Sequence, residues 1–346
     1  MKYKIFGRNS GLRVSEVALG AANFGILDGN GLNPEQAKSI FEKYLSLGGN
    51  FIDTSETYKA GQSEAIIGEL INADRDRLVI SSKYTRGVTT KEGISAIGNS
   101  RKSMVRAIEG TLRRLKTDHV DIYWVHAEDR LTPMEEILRA FDDLSRDGKI
   151  LYAGISNFPA WKISRGVTIA EAKNSTPIIG VQLEYNLVER SADRELLPMA
   201  EGLGLGVMIY SPLAHGKLSK IVKSSESMAA GRVTEMKDQT ARIRDEVFLI
   251  SEELRCSPSQ VAIAWSYAKA TASTTALIPV LGASRPEQLE DNVKALLISL
   301  SAEQLAKIER VSQIDLGNPQ TVVTQYLPMF RGGALDAIIE PFVPNA

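Results

Sequence analysis

The chain has 346 residues, 43% of them hydrophobic and 24% charged, and a formal net charge of −1; this is enough apolar material for one large core or two smaller ones and too much for a disordered chain. The near-neutral balance, with no basic stripe, excludes the long-range field that draws a protein to nucleic acid or anionic lipid, so a small molecule is the expected partner and neither nucleic acid nor a membrane is. A single cysteine, Cys256, excludes an intrachain disulfide, and no apolar run has the length of a signal peptide or a membrane span, so a cytoplasmic location is expected.

Residues 1–16 hold Gly7 and Gly11 between two short alternating stretches, expected as a β-hairpin closing the bottom of a barrel. From about residue 17 to about residue 298, short aliphatic or β-branched runs alternate with longer amphipathic ones, as in strand-helix units on a parallel sheet. Eight strands are expected near Val17–Leu19, Phe51–Asp53, Leu78–Ser82, Val120–Val125, Leu151–Ser156, Ile178–Leu183, Gly206–Tyr210 and Ala276–Val280. Capping boxes mark helix starts at Asn33-Pro34-Glu35-Gln36, Thr132-Pro133-Met134-Glu135, Ser257-Pro258-Ser259-Gln260, Ser284-Arg285-Pro286-Glu287 and Ser301-Ala302-Glu303-Gln304. Leu47-Gly48-Gly49 and Asp147-Gly148-Lys149 read as helix stops, with glycine in the left-handed cap. The glycines at 202, 204 and 206 have the wrong spacing for a dinucleotide fingerprint and precede a strand, so they read as a turn.

Eight such units match a (β/α)₈ TIM barrel better than an open doubly wound sheet. The whole chain, 1–346, is expected to be one domain. Residues 315–346 contain Pro319, Pro328, Gly332, Gly333, Pro341 and Pro344 and show no helical period, so they are expected to form a tail or lid.

Asp53, Lys83 and His126 each end or directly follow an expected strand, after strands two, three and four, and Tyr58 lies five residues beyond Asp53. A barrel gathers its reactive groups at that end of its strands. Each residue alone has a plain explanation as a cap, a loop anchor, a snorkelling amine or a satisfied rim histidine. Together, a carboxylate, a phenol, an ammonium and an imidazole make a set for moving a proton to or from an oxygen. A phenol titrating near 10 is a poor acid at neutral pH, but an ammonium about 4 Å away contributes roughly 4 kcal/mol at an effective dielectric of about 20, or about three pKa units. Asp53 cancels part of that while holding Lys83 charged.

These residues sit in motifs of high specificity: Asn50 to Tyr58 (NFIDTSETY), Gly154 to Phe158 (GISNF), Val181 to Asn186 (VQLEYN), Tyr210 to Ala214 (YSPLA) and Gly282 to Asn292 (GASRPEQLEDN). Over roughly residues 3 to 298 the chain resembles the aldo-keto reductases, a family of NAD(P)H-dependent carbonyl reductases on a (β/α)₈ barrel. The resemblance implies that Tyr58 protonates the carbonyl oxygen, Lys83 lowers its pKa, Asp53 anchors Lys83 and His126 orients the carbonyl. It also implies that Ser156, Asn157 and Gln182 hold the nicotinamide carboxamide and that Tyr210 stacks on the ring. Gly20, Ser211, Pro212, Leu213, Ala214 and Lys217 would follow the cofactor toward its pyrophosphate, and Gly282, Ser284, Arg285, Gln288, Asp291 and Asn292 would hold the adenosine half. The helix near Arg285 presents free backbone N–H groups to an anion such as a ribose phosphate, although Ser284 and Glu287 could equally serve only as caps. NADP(H) is therefore expected over NAD(H), which stays open because the lysine many relatives place near Gly282 is missing. His215 stands where relatives often have glycine. The polar stretch from Ser219 to Gln239 is expected as a flap over the cofactor.

The expected reaction is reversible, metal-free reduction of an aldehyde or ketone to an alcohol, with Phe24, Trp124, Trp161, Tyr326 and Phe330 as candidate pocket walls. Two rivals remain at this level: a slow cofactor-sensing subunit of the same fold, and a metal-dependent barrel hydrolase. Oligomeric state is not legible.

Overall fold

In the computed structural model the described residues are 1–71, 74–89, 93–218 and 234–333, with Ile339 and Val343. Every aliphatic run expected to be a strand is one: β1 (Ala18–Gly20), β2 (Phe51–Asp53), β3 (Val79–Tyr84), β4 (Val120–Val125), β5 (Ile150–Ser156), β6 (Ile178–Glu184), β7 (Gly206–Tyr210) and β8 (Leu277–Leu281). Each pairs in parallel with the next, and β8 pairs with β1, which closes the ring. The fold is the (β/α)₈ barrel.

Helices cover the outside in chain order: α1 (Pro34–Ser46), α2 (Gln62–Leu70), α3 (Arg101–Leu115), α4 (Met134–Arg146), α5 (Ala160–Ala172) and α6 (Leu196–Leu203). Two helices, α7 (Thr234–Leu254) and α8 (Pro258–Ala272), separate β7 from β8, and α9 (Pro286–Lys294) and α10 (Ala302–Ser312) follow β8. Three expected capping boxes close as written, Asn33 with Gln36, Ser257 with Gln260 and Ser301 with Gln304. The other two do not. The Thr132 hydroxyl donates to Asp129 instead, at 2.7 Å, and α4 begins after Pro133 without a side-chain cap. Ser284 turns to Gln288 rather than Glu287, leaving Arg285 at the cap position. In both, a competing oxygen one turn away captures the hydroxyl. Gly48 and Gly204 take left-handed conformations (φ +85° and +69°) and end α1 and α6, so Gly204 makes the expected turn, between Gly202 in α6 and Gly206 at the start of β7.

The amino-terminal hairpin pairs Tyr3–Ile5 with Arg13–Ser15 and delivers Phe6 to the amino ends of the strands. There the fully buried ring meets Phe51 and Trp124 edge-on, with centroids 5.8 and 6.2 Å away. Gly180 and Gly206 make the room, because a Cβ on either would come within 2.5 to 2.7 Å of that ring. The barrel bottom is thus a packed aromatic plug.

The carboxy-terminal segment departs from expectation: Gln320–Phe330 is a helix, α11, with Pro328 in its last turn. Proline and the β-branched run Thr321 to Thr324 hide it from a propensity reading. It is tethered through Gln320, which donates to the Arg194 carbonyl at 2.7 Å, and Tyr326 and Phe330 remain exposed. Of the expected flap, residues 219–233 lie outside the described residues, and α7 starts at Thr234. Among the described residues no helix is long and apolar enough to cross a membrane.

Replacing Phe6 by Ala empties the plug, and urea unfolding should show a loss of about 3–5 kcal/mol. A loss below about 1 kcal/mol would mean that the bottom collapses without the ring.

Candidate active site

Strand geometry alone brings three of the four candidate residues together. Asp53 is the last residue of β2, Lys83 lies next to last on β3, and His126 comes one residue after β4. Beyond Asp53 the Tyr58 amide donates to the Ser55 carbonyl at 3.1 Å, a tight turn that leaves Tyr58 beside the strand ends, and Lys59 and Ala60 follow at positive φ (50° and 53°).

Lys83 is fully buried, and its ammonium donates to Asp53 Oδ2 at 2.6 Å and to the Thr54 carbonyl at 2.7 Å. Ser81 and Gln182 donate to the other Asp53 oxygen, at 2.7 and 3.0 Å. Lys83 Nζ also lies 4.8 Å from the centroid of the Tyr58 ring. Burial works against the charged amine, yet Asp53 and Tyr58 outweigh it and hold the lysine pKa above its ordinary value. For the phenol the balance differs from expectation. Burial raises the Tyr58 pKa more than Lys83 lowers it, with Asp53 adding to the rise, so the net direction is up. Desolvation of a group set this deep exceeds one ammonium's attraction when a carboxylate sits behind it.

His126 packs edge-on to Tyr58, with centroids 6.0 Å apart, and its Nδ1 is 3.3 Å from Ser55 Oγ. Burial, then Lys83 and Arg86, push its pKa down to about 3. It is a neutral imidazole throughout the physiological range.

These groups open into a cavity of about 950 Å³ at the carboxy ends of the strands. Of the residues singled out in the sequence, Gly20, Asp53, Tyr58, His126, Asn157, Gln182, Tyr210, Ser211, Pro212, Leu213, Gly282, Gln288 and Asn292 line it. Lys83 lies just beneath. Ser156 is buried behind the wall, where its hydroxyl accepts from Asn157 Nδ2 at 3.0 Å, and Ala214 is buried in the turn after β7. Lys217, Ser284 and Arg285 are exposed outside the rim. Asp291 points to α8, accepting from Ser257 and Gln260 at 2.9 and 3.0 Å. The Tyr210 hydroxyl donates to Asn157 Oδ1 at 2.9 Å, and His215 joins the lining with Nε2 3.2 Å from Glu184. None of the five aromatic wall candidates lines the cavity. Phe24 and Trp124 are core, while Trp161, Tyr326 and Phe330 face solvent. Sequence reading missed Ala22, Asn23 and Arg86, which line it from the loops after β1 and β3; the rule that such loops carry the site was the available signal.

The profile of the Aldo/keto reductase family matches residues 16–313. The chain belongs to the aldo/keto reductase family. Among its relatives, an uncharacterised oxidoreductase of Bacillus subtilis, YrpG, is 35% identical over 90% of this chain and 96% of its own. A putative aryl-alcohol dehydrogenase of Saccharomyces cerevisiae, AAD14, is 30% identical over 93% and 89%. A putative voltage-gated potassium channel subunit beta of Schizosaccharomyces pombe is 34% identical over 89% and 92%.

Aldo/keto reductases use nicotinamide cofactors, and this chain's cavity fits one. Its volume lies near the upper end of the roughly 300–1,000 Å³ of cofactor pockets. Asn23 Oδ1 and Asn292 Nδ2 are buried polar atoms without a partner on its wall, as expected of groups that a polar ligand satisfies. At Gly282 an added Cβ would meet nothing within 4 Å, so that wall is open.

Because His126 is neutral in the native state and titrates near its ordinary value when unfolded, the unfolded chain binds the extra proton first, and stability falls as pH drops from about 6.5 toward about 3. Nitrogen-detected NMR should find this imidazole uncharged at pH 5; a charged ring there would refute the burial argument.

Proposed function

We propose that the protein is an NADP(H)-dependent reductase of aldehydes and ketones, acting reversibly, with Tyr58 as the general acid. The observation that carries this reading is the Lys83 ammonium held between Asp53 and the Tyr58 ring beneath the cavity floor. When bound, the reduced nicotinamide supplies the hydride that the carbonyl carbon accepts.

This chain's residues handle the oxygen. Burial keeps the Tyr58 proton in place until the carbonyl oxygen gains negative charge. The proton then passes to that oxygen, and the adjacent Lys83 ammonium stabilises the phenolate left behind. Asp53 keeps Lys83 charged and immobile through the cycle. His126 Nδ1 lies beside Ser55 Oγ, and with its proton on Nε2 the neutral imidazole donates to the same carbonyl oxygen. Asn157 and Gln182 offer amides to the nicotinamide carboxamide, and Tyr210 offers its ring face.

On the far side of the cavity, Ser284 and Arg285 stand at the start of α9, where free backbone N–H groups favour an anion. No side chain of the described residues engages the Arg285 guanidinium, which suits a 2′-phosphate.

Tyr58→Phe should lower carbonyl reduction by about 10²- to 10⁴-fold while NADPH titration shows retained binding; unchanged turnover would remove Tyr58 from the reaction. Arg285→Ala should weaken NADPH about tenfold and leave NADH affinity alone; equal effects on both would dissolve the NADP(H) preference. The second reading, a slow cofactor-sensing subunit, draws on the likeness to the fission-yeast channel subunit. Tight NADPH binding with no turnover of any aldehyde in a broad panel would favour it.

A further inference from the structure

The cavity carries a charge that the chemistry above does not use. Among the described residues lining it, Arg86 is the one arginine or lysine and Asp53 the one carboxylate, and Asp53 belongs to Lys83. Arg86 is exposed at the cavity mouth, and no described side chain forms a hydrogen bond or ion pair with it. The neighbouring loops hold carboxylates that are committed elsewhere. Glu56 accepts from the Gly87 amide at 3.0 Å, Glu128 pairs with Lys162, and Asp129 accepts from Asn99, Leu131 and Thr132.

The backbone beneath this arginine is built to hold it there. Thr85 stands at φ +114°, a conformation that β-branched residues rarely adopt. It is kept there by its carbonyl, which accepts from Gly98 at 2.8 Å, and by its hydroxyl, which donates to Asn99 at 2.7 Å. Glu56 clamps the next peptide from the other side. A turn pinned on both flanks fixes where the side chain leaves the backbone.

Position in the ring sets what this loop stands opposite. The loop after β3 stands four strands from β7, on the opposite side of the ring of eight. The segments expected to follow the cofactor, Ser211 to Gly216 after β7 and Gly282 to Asn292 after β8, lie across the mouth, with Tyr58 and His126 between. A ligand group beside Arg86 therefore belongs to the carbonyl compound and not to the dinucleotide.

We propose that Arg86 reads a carboxylate on the substrate, so that this site selects aldehydes or ketones bearing an acid group. The inference rests on the carbonyl-reductase reading above. One guanidinium matches a planar monoanion, to which it can donate two parallel hydrogen bonds, whereas a phosphate dianion would keep an unmatched charge.

The test compares wild type with Arg86→Gln and Arg86→Lys on 4-carboxybenzaldehyde, its methyl ester and 4-formylphenyl phosphate, with calorimetric binding of 4-carboxybenzyl alcohol in the presence of NADP⁺. Wild type should prefer the acid to the ester by about tenfold or more in kcat/KM. That ratio should collapse toward one in Arg86→Gln and survive in part in Arg86→Lys, which keeps the charge and loses the fork. A wild-type ratio near one, or a ratio that persists in Arg86→Gln, overturns the proposal, and a preference for the phosphate overturns the carboxylate assignment. If no aldehyde is reduced, the reductase reading fails by itself and calorimetry decides: weaker binding of the acid alcohol to Arg86→Gln supports the role of Arg86, and equal or undetectable binding to both proteins overturns it.

Discussion

A lysine with no exposed surface keeps its charge only if opposite charge and acceptors surround it, and in this barrel they come from several strands at once. Asp53 from β2, the carbonyl of Thr54 just after it and the phenol of Tyr58 all converge on Lys83 from β3. Gln182 on β6, which stands opposite β2 in the ring, reaches across the lumen to steady the same carboxylate. Removing either partner of this pair would strand a charge in the barrel interior, which is among the most expensive faults a core can carry. The pair needs the closed ring, and the reactive geometry needs the pair.

Around that centre the cavity is divided by charge. One side, from the turn after β7 to the start of α9, is lined by uncharged groups such as the buried Asn292 amide, with Arg285 exposed outside the rim. The other side offers Arg86 on a pinned turn. Between them stand a phenol and an imidazole that burial keeps uncharged. Among the described residues no three His, Cys, Asp or Glu side chains cluster to hold an ion.

The strands were legible because a barrel strand is a short aliphatic run with no choice of face, and β2, β4 and β7 begin and end where the pattern places them. Caps were legible where the serine or asparagine had one acceptor turn within reach, at Asn33, Ser257 and Ser301, and failed at Thr132 and Ser284, where Asp129 and Gln288 compete. The helix at Gln320–Phe330 was hidden by the β-branched run Thr321 to Thr324 and by Pro328, and its tether to Arg194 comes from a distant part of the chain. Asn23 and Arg86 sit in loops without a motif of their own, and only the shape of the cavity wall singles them out.

By itself the sequence determined the alternation of strand and helix, the ring that follows from eight such units, and the placing of Asp53, Lys83 and His126 at or beside strand ends, because side-chain periodicity and position along a strand are local properties. Tertiary structure decided which way the Tyr58 pKa moves, that Asp291 serves α8 and not the cavity, and that no side chain among the described residues pairs with Arg86. Those outcomes depend on burial and on neighbours far away in the chain, and no local pattern encodes either.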